Sequence, residues 1–335
     1  MNYKEVIDIL GNEKKPVITV FGDFCLDKYM YVDAEKDELS LETNLTAYQI
    51  SHRKLFAGAG GTITNNLLAL GAKVYCIGIV GNDGEGFELI NCLKDVGADV
   101  SLMVHTDERY TGTYIKPMRN ENGQLTEMNR FDLKNFTYTP IHIQKKLIDN
   151  LKKVVNISNA IIVCDQYNEN NCAAVTENVR NNLSSLAKQF TNIIWYADSR
   201  SNIHKFRNMI IKCNHKEIAR IFNVNANTVN SDAALMYSKE LYAANCKPVY
   251  ITLGKNGTTV YDGADHKIPA FSVQGKVDIV GAGDACSAGI IFALTKGANY
   301  EQAAFVGNAA SSIVIKKIGE TGTAQFDDVI DVLSR

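Results

Sequence analysis

The feature that most constrains the fold of this chain is the alternation of short apolar runs with helix-like segments. The runs lack polar residues at alternate positions, which is typical of strands buried on both faces of a parallel sheet. They are residues 17–21, 74–80, 160–164, 193–197, 209–213 and 249–253. The helix-like segments are residues 1–11, 67–72, 85–97, 141–155, 172–190, 228–245 and 285–294. This alternation predicts an α/β fold, a doubly wound and mostly parallel sheet with right-handed crossovers.

Two polar, strand-like regions interrupt the alternation. They lie at about residues 33–57 and 105–135, and the second contains a hairpin turn at residues 120–123. We predict that both regions build a small β-sheet lid over one edge of a single domain, which spans residues 1–335. Lids close on substrates and exclude water. Because the exposed edges of a small sheet need covering, we also predict a homodimer that forms through the lid.

Charge and composition argue against several classes of protein. The formal net charge of −2 gives no electrostatic attraction to nucleic acid or to an anionic membrane, and the apolar runs are too short to span a bilayer. The eight cysteines form no Cys-x-x-Cys pair and the six histidines have no metal-ligand spacing, so no zinc site is expected. The first residues lack a signal-peptide core, which indicates a cytoplasmic protein with reduced thiols.

Residues 278–289 carry the strongest sign of chemistry. Gly281 and Gly283 precede a helix-like run, so backbone N–H groups can crowd together where the helix dipole favours an anion. Asp284 lies in the first predicted helical turn. Taken alone, this carboxylate has two interpretations: an ordinary helix cap, or a general base held beside a bound phosphate.

Two further glycine-containing stretches lie beside a strand or a helix. The first strand ends at Gly22, and Asp27 follows shortly after it. Ligands of open α/β sheets bind at the carboxyl ends of strands, so Asp27 is either a ligand contact or a solvated turn carboxylate. Gly58 begins the second stretch, residues 58–66, which runs into a helix-like segment and allows a ligand to approach the backbone closely.

Two common nucleotide-binding signatures are absent from the sequence. No Gly-x-Gly-x-x-Gly follows the first strand, where a dinucleotide-binding fold would place it. No Gly-x-x-x-x-Gly-Lys-[Ser/Thr] occurs anywhere in the chain. A dehydrogenase is therefore disfavoured, and a P-loop enzyme is excluded.

Nearly the whole chain resembles the ribokinase/PfkB family of carbohydrate kinases, because several family motifs occur here in family order. The carboxy-terminal signature Asp-x-x-Gly-Ala-Gly-Asp-x-Phe-x-x-Gly matches residues 278–289, with Cys286 in place of phenylalanine. The early sugar-binding segment resembles residues 22–27. The residues from Gly58 onward resemble the double-glycine motif. Ala59 stands in place of the second glycine, and Thr62 stands in place of the usual asparagine. The family's nucleotide-binding segments resemble residues 214–217, 252–257 and 305–319.

Within the family, the chain resembles kinase domains that phosphorylate D-glycero-manno-heptose 7-phosphate at its anomeric hydroxyl. The similar residues are Gly22, Asp23, Leu26, Asp27, Tyr29, the strand-like residues 129–132, Asp198 with Arg200, and Gly319. The chain departs from these domains at residues 165–169, where Asp-Gln-Tyr-Asn-Glu replaces the usual Asp-Tyr-x-Lys-Gly. No role for residues 165–168 follows from the sequence.

The resemblance implies a role for each candidate site residue. Asp284 would take the proton of the attacking hydroxyl, and the N–H groups of Gly281, Ala282 and Gly283 would stabilise the transferring phosphoryl group. The substrate contacts would be Asp27, Gly58, Lys116, Arg130 and Asp132. The ATP contacts would be Asn214, Glu217, Arg200, Thr252, Gly254, Gly257 and Asn308. Mg²⁺ would be held near Glu217, mostly through water, and K⁺ near Asp278.

Several of these residues have plain structural alternatives. Asn214 and Glu217 can cap the helix-like segment that follows them, and Thr252 with Gly254 can form an ordinary turn at a strand end. The three cations Lys116, Arg130 and Arg200 can be solvated charges.

The resemblance predicts an ATP-dependent carbohydrate kinase that phosphorylates a sugar or a sugar phosphate. A cationic lid would favour a substrate that already bears a phosphate. Two alternatives stay open: a kinase of the same fold that acts on a free hexose, a pentose or a nucleoside, and a non-catalytic sugar or nucleotide sensor. Loss of the base would mark a sensor, so the presence of Asp284 favours an enzyme.

Overall fold

The structure is a computed structural model that describes residues 3–121, 124–319 and 321–334. The predicted turn at residues 120–123 lies partly outside the described residues. The strands are β1 (Val17–Gly22), β2 (Phe24–Val32), β3 (Glu38–Leu39), β4 (Thr46–Ala47), β5 (Ile50–Ala59), β6 (Lys73–Ile77), β7 (Ile79–Gly81), β8 (Val104–Thr106), β9 (Thr113–Glu121), β10 (Gln124–Glu127), β11 (Phe131–Leu133), β12 (Ala160–Asp165), β13 (Ile194–Ser199), β14 (Ile210–Asn214), β15 (Val249–Thr252), β16 (Thr258–Tyr261) and β17 (Asp265–Ile268). The helices are α1 (Tyr3–Leu10), α2 (Gly60–Ala69), α3 (Gly84–Asp95), α4 (Ile141–Val154), α5 (Glu177–Gln189), α6 (His215–Ile221), α7 (Ser231–Asn245), α8 (Ala282–Lys296), α9 (Tyr300–Val314) and α10 (Phe326–Leu333).

The larger sheet has eight strands in the order β17-β16-β15-β14-β13-β12-β1-β6. The six strands from β15 to β6 are parallel, and β16 and β17 extend one edge in antiparallel pairs. One apolar cluster contains buried residues of α1, α2, α3, α8, α9 and α10, and a separate cluster contains those of α4 to α7. The predicted doubly wound, mostly parallel α/β fold is confirmed.

Strand β12 shows why apolar runs predict this sheet. All six of its residues are buried. Ala160, Ile162 and Cys164 pack into the first cluster, whereas Ile161 and Val163 pack into the second. Successive side chains of a strand point to opposite faces, so a strand covered by helices on both sides needs an unbroken apolar sequence.

A second, smaller sheet stands apart from the first. Its strand order is β10-β9-β2-β5, with β11 paired to β9, and a separate two-stranded sheet joins β3 to β4. Its central strand β2 lies before the regions predicted for this sheet. It follows β1 after one residue, and Gly22 turns the chain between the sheets with φ of 134°. Polar residues such as Asp27 and Lys28 hide β2 from a search for apolar runs.

Three predicted boundaries differ from the structure. The run at residues 74–80 breaks at Gly78, where a Cβ would lie 2.5 Å from the Phe24 ring, so the chain bends around the first residue of β2. Helix α5 begins at Glu177 because the Thr176 side chain caps it, accepting the Val179 N–H. The sequence before the segment at residues 278–289 also has a strand-like run at residues 267–273, and in the structure the strand there ends at Ile268.

Candidate active site

The first turn of α8 brings backbone N–H groups and the Asp284 carboxylate together. Gly281 precedes the helix with φ of 76°, a left-handed conformation that glycine adopts without steric cost. The Ala282 N–H donates to the Ile279 carbonyl oxygen at 3.2 Å. Within the described residues, the N–H groups of Gly281, Gly283 and Asp284 have no acceptor. They are therefore open to an anion at the positive end of the helix.

Asp284 lies among charges from several elements. Burial raises the pKa of Asp284 to about 7, and the Asp198 carboxylate at the end of β13 adds to the rise. The cations Lys212 and Arg200 oppose it, while Asp27 of the second sheet raises it further. Charged residues from both sheets thus shift the pKa of the Asp284 carboxyl group.

Lys212 is a buried cation beneath α8 that the sequence analysis missed. Its Nζ lies 2.8 Å from Asp198 Oδ2 and donates to the Gly283 carbonyl oxygen at 3.3 Å. Ser287 Oγ donates to the same Asp198 oxygen at 2.7 Å. The available signal was a lysine inside the apolar strand at residues 209–213, since a lysine is almost never fully buried unless it is paired.

Asp27 is a buried member of β2, not a solvated turn carboxylate. Lys116 Nζ on neighbouring β9 lies 2.9 Å from Asp27 Oδ1 and donates to the Tyr29 hydroxyl at 3.1 Å. Burial acts to lower the pKa of Lys116, but Asp27 and Tyr29 outweigh it, so this pKa lies above its usual value. A Cβ at Gly58 would come within 2.6 Å of Asp27 Oδ2, so the glycine makes room for the carboxylate.

Arg130 and Asp132 form a second ion pair on the small sheet. Arg130 Nε and Nη2 lie 2.7 Å and 2.9 Å from the two Asp132 carboxylate oxygens, and the guanidinium lies 5.1 Å from the Tyr114 ring centre. The hydrogen bond to Asp132 raises the pKa of Arg130. Asp132 is in register with Tyr114, and Tyr114 with Asp27. These side chains therefore share one face of the sheet.

Arg200 differs from Lys116 and Arg130 because its side chain is unpaired. It is exposed at the end of β13 and makes no side-chain hydrogen bond or ion pair with the residues that the structure describes. Its positive charge acts to lower the pKa of Asp284, of Glu217 and of Tyr114. Arg200 thus lies near the α8 N-terminus with its guanidinium donors available for phosphate oxygens.

Asn214 and Glu217 form a capping box at the start of α6. Asn214 Oδ1 accepts the N–H groups of Lys216 and Glu217 at 2.9 and 3.0 Å, and Glu217 Oε2 accepts the Asn214 N–H at 2.8 Å. The structural alternative for these two residues is therefore present. Burial and the Asp198 charge raise the pKa of Glu217 to about 7, and its Oε1 makes no hydrogen bond with the described residues.

The other predicted ATP contacts lie at the antiparallel edge of the larger sheet. Asn308 Oδ1 accepts from Thr258 Oγ1 at 2.6 Å, and its Nδ2 donates to the Pro269 carbonyl oxygen at 2.9 Å. A Cβ at Gly257 would lie 2.0 Å from the Ile268 carbonyl oxygen. Both residues hold the chain after β17 in place. Thr252 ends β15, and Gly254 begins an exposed single turn after it.

Asp278 joins the loop before α8 to the loop after α9. Its N–H donates to the Ile315 carbonyl oxygen at 2.8 Å, and its Oδ2 accepts the Gly319 N–H at 3.1 Å. Its Oδ1 accepts the Val280 N–H at 3.0 Å. Asp278 thus links the loop before α8 to the loop after α9.

Asp23 fixes the segment at residues 166–174, a role that the sequence did not assign. Its carboxylate accepts the N–H groups of Gln166 at 2.8 Å, Tyr167 at 3.2 Å and Ala174 at 3.0 Å. Burial, and next the Asp165 charge, raise the pKa of Asp23 to about 7. A Cβ at Gly112 would lie 1.7 Å from the Tyr167 hydroxyl, so this segment packs against the start of β9.

Helices that could span a membrane and clusters of metal-ligating side chains are both absent from the described residues. None of their helices is both long enough and apolar enough to cross a membrane. Within the same residues, no three His, Cys, Asp or Glu side chains come together as ligands for a metal ion.

Curated relatives match most of this chain at modest identity. Bifunctional protein HldE of Sulfurimonas denitrificans is 27% identical over 308 residues, which cover 91% of this chain and 61% of the relative. Bifunctional protein HldE of Nitratiruptor sp. is 26% identical over 318 residues, which cover 94% of this chain and 64% of the relative. The chain thus spans less than two thirds of these relatives' own length.

Solved structures share the fold. Phosphofructokinase-2 from Escherichia coli in complex with potassium matches with a TM-score of 0.74 and 18% identity, covering 96% of this chain and 100% of the other. Arabidopsis thaliana ribokinase complexed with ribose and ATP matches with a TM-score of 0.71 and 16% identity, at the same coverages. At these identities the likeness establishes the fold alone.

The family model described as pfkB family carbohydrate kinase matches residues 17–325. The matched range includes the α8 N-terminus, both sheets and every candidate residue placed above. It confirms the family predicted from the sequence, and the relatives named HldE agree with the narrower likeness predicted within it. The chain belongs to the pfkB family of carbohydrate kinases and is a sugar kinase, a phosphotransferase.

Proposed function

We propose that this sugar kinase transfers the γ-phosphate of ATP to a hydroxyl group at the N-terminus of α8, with Asp284 as the general base. The observation that carries the proposal is the combination in one helical turn of open N–H groups and a carboxylate of raised pKa. The nearby Asp27 belongs to the second sheet, so a sugar bound by Asp27 would lie between the two sheets. Phosphoryl transfer needs mainly such positioning and charge stabilisation.

The raised pKa suits a base. A general base works best when its pKa lies near the working pH, because it is then ionised yet still binds the proton it removes. Asp284, with a pKa of about 7, meets this condition, whereas an ordinary solvated aspartate is a much weaker base. The open N–H groups of Gly281, Gly283 and Asp284 would stabilise negative charge on the transferring phosphoryl group.

Kinases of this family use ATP and Mg²⁺, and the residues near the α8 N-terminus fit both. Arg200 offers unpaired donors to phosphate oxygens, and Glu217 keeps one carboxylate oxygen for a water of the Mg²⁺ shell. We place K⁺ beside Asp278, where two loops meet. Thr252 and Gly254 would border the nucleotide, while Gly257 and Asn308 would shape its pocket from within the protein.

For the acceptor we propose a sugar that already bears a phosphate, such as a heptose 7-phosphate. Its support is the resemblance to heptose 7-phosphate kinase domains, together with the cations Lys116 and Arg130 on the face that carries Asp27. Each cation is already paired with a carboxylate, Asp27 or Asp132. A substrate phosphate would therefore bind a cation together with its carboxylate, or displace Asp132 from Arg130. Because both cations are already neutralised by carboxylates, a neutral sugar is the second candidate.

A panel of free and phosphorylated sugars separates these two candidates. We expect ATP consumption with Mg²⁺ to be faster for a phosphorylated sugar than for its free form, by roughly 10²-fold if two charge-assisted contacts form. Arg130→Ala should remove most of that preference. Arg53→Ala is the matched control, because Arg53 pairs with Glu88 on the other face of the same sheet. Equal activity on free sugars, unchanged by Arg130→Ala, would leave only a kinase of neutral sugars.

We further propose that the chain is a homodimer that pairs through the small sheet. The segment around β3 and β4 exposes leucines, with 60% of Leu39, 69% of Leu45 and all of Leu41 accessible. Exposed apolar side chains beside a sheet edge are removed from water when a partner subunit covers them. Light scattering at micromolar concentration should give twice the chain mass of 36.9 kDa. A strict monomer would refute the dimer while leaving the sheet and the catalytic proposal intact.

We also propose a cytoplasmic location. All eight cysteines are free thiols, and six of them are buried in the fold. Thiols persist unpaired in a reducing compartment. Fractionation of cells that express the protein with its own amino terminus would test this location.

A further inference from the structure

Beneath the first turn of α8 lies a buried group of three polar side chains, Lys212, Asp198 and Ser287. We call it the support cluster. Only 5% of the Lys212 and Asp198 side chains is accessible, and their ion pair measures 2.8 Å. Ser287 Oγ completes the coordination of Asp198 Oδ2 at 2.7 Å. Even when two buried charges are paired, the cost of removing them from water can exceed their mutual attraction, so stability alone does not account for the cluster.

Its contact with α8 suggests that reason. Lys212 Nζ donates to the Gly283 carbonyl oxygen at 3.3 Å, and that carbonyl belongs to the peptide whose N–H is that of Asp284. Holding the oxygen fixes the orientation of the peptide plane. It therefore fixes the direction of one open N–H group and the backbone from which the Asp284 carboxylate projects. Lys212 points at a carbonyl oxygen beneath the helix, not at the N–H groups that would receive a phosphate.

The charge of Lys212 acts on the same turn. The charged groups that face Asp284 are Asp198 from β13, Lys212 from β14, Arg200 after β13 and Asp27 from β2. Asp198 and Asp27 raise the pKa of Asp284, and Lys212 and Arg200 lower it. The Lys212 ammonium also faces Glu217 from α6 and the Cys286 thiol from α8. Lys212 is thus the buried positive charge that offsets Asp198.

We propose that Lys212 is a positioning residue of the phosphoryl-transfer site, which holds the Gly283–Asp284 peptide through its carbonyl oxygen. The inference rests on the proposed function, in which Asp284 is the base. In this arrangement Asp198 and Ser287 hold the lysine in place. Lys212 touches neither the sugar nor the reacting atoms.

The test measures kcat, and KM for ATP and for the sugar, from pH 5 to 9 in a set of full-length variants. Lys212→Met should lower kcat at high pH by about 10- to 100-fold, since a misdirected N–H group stabilises the transition state less. It should also move the acidic limb of the kcat profile up by about one pH unit, while both KM values change less than about threefold.

Two further variants separate position from charge. Lys212→Met/Asp198→Asn removes both charges, so the acidic limb should return toward that of the parent while kcat stays low. The double variant leaves no unpaired buried charge, so it should fold even if Lys212→Met alone does not. Tyr196→Phe is the matched control, because it deletes a buried hydroxyl 3.2 Å from Ser287 Oγ without changing any charge. We expect the control to keep both the acidic limb and kcat.

Each contrary outcome points to one assumption. An unmoved acidic limb in Lys212→Met, or a raised KM for ATP with parental kcat, would overturn the positioning role and make Lys212 a spacer or a phosphate ligand. A high kcat in the double variant would overturn it as well. Asp284→Asn belongs in the same series. If Asp284→Asn kept the parental rate, the assignment of Asp284 as the base would be wrong. If Asp284→Asn were inactive, the base would stand, and the Lys212 variants alone would decide the positioning role.

Discussion

Ala59 adopts a backbone conformation that L-residues rarely take. It precedes α2 with φ of 54° and ψ of −117°, where a side chain costs about 1–3 kcal/mol. It also stands where the family motif has its second glycine. The neighbouring Gly58 packs against Asp27. The strained turn is therefore part of the wall around the proposed sugar site.

Ala59→Gly should stabilise the protein by about 1 kcal/mol, because relief of strain exceeds the extra freedom that glycine gives the unfolded chain. A rise of about 2 °C in the melting temperature would show it. Ala69→Gly, at the last residue of α2, is the control and should not raise the melting temperature, because no strain is relieved there while glycine gives the unfolded chain more freedom. A lower melting temperature for Ala59→Gly would mean that the turn is not strained.

Single residues divide clearly into those that local sequence predicts and those that it does not. Asp284 and Asp27 stand beside glycines in recognisable motifs, so a candidate role could be assigned to each before the fold was known. Asp23 and Lys212 depend on distant partners. The N–H groups bound by Asp23 come from residues 166–174, and Lys212 meets Asp198 and Gly283 only after folding. No local pattern encodes such contacts.

At the scale of elements, two glycines let the backbones of α8 and α9 approach each other closely. Gly289 and Gly307 face each other at the crossing, and a Cβ on Gly289 would lie 3.0 Å from the Gly307 Cα. A Cβ on Gly307 would lie 2.7 Å from Ile290 Cγ1 and 2.9 Å from the Cys286 carbonyl oxygen. Because α8 begins at the proposed catalytic turn, the packing of α8 against α9 also determines where Asp284 lies.

Gly307→Ala should therefore destabilise the protein by about 1–3 kcal/mol, as overpacking of a well-filled core does. Chemical denaturation should show a lower midpoint with an unchanged slope. Gly84→Ala is the control, because a Cβ on Gly84 meets no atom within 4 Å and its φ is ordinary. Equal stability of the two variants would show that α8 and α9 can separate without cost.

The predictability of an element follows from how it is buried. The parallel strands are buried on both faces, so β12 and its neighbours are visible as apolar runs. Strand β2 carries polar side chains on both faces, with Asp27 on one and Lys28 on the other, and it continues from β1 after a single residue, so its sequence resembles a loop. The predicted small sheet is present, but the strand at its centre required the structure.

For the whole molecule, buried carboxyl groups link stability to pH, because burial raises the pKa of Asp165 and, to about 7, the pKa values of three further groups. The pKa values of Asp23, Glu217 and Asp284 are raised to about 7, mainly by burial. In the unfolded chain these groups titrate near the ordinary pKa values of 3.8 for aspartate and 4.5 for glutamate. Between about pH 4 and 7 the folded protein therefore binds protons that the unfolded chain has released. Stability must fall as the pH rises through this window.

The folded protein should accordingly be more stable at pH 5.5 than at pH 8, by about 1–3 kcal/mol once partial exposure is taken into account. Melting temperatures across this range would measure the effect. Asp284→Asn removes one of the three groups, so its melting temperature should depend less on pH than that of the parent. A parent that becomes more stable from pH 5.5 to 8 would show that these carboxyl groups are not the dominant titrating residues.

The central claim is that Asp284 is the base of a sugar kinase, and the rate of ADP formation by Asp284→Asn tests it most directly. Asparagine keeps the size of the side chain and the open N–H groups but cannot accept the proton. With Mg²⁺, ATP and a sugar that the parent phosphorylates, kcat should fall by about 10²–10⁴-fold, while KM for ATP stays within about threefold. A variant that forms ADP and the phosphorylated sugar at near the parental rate would contradict the account.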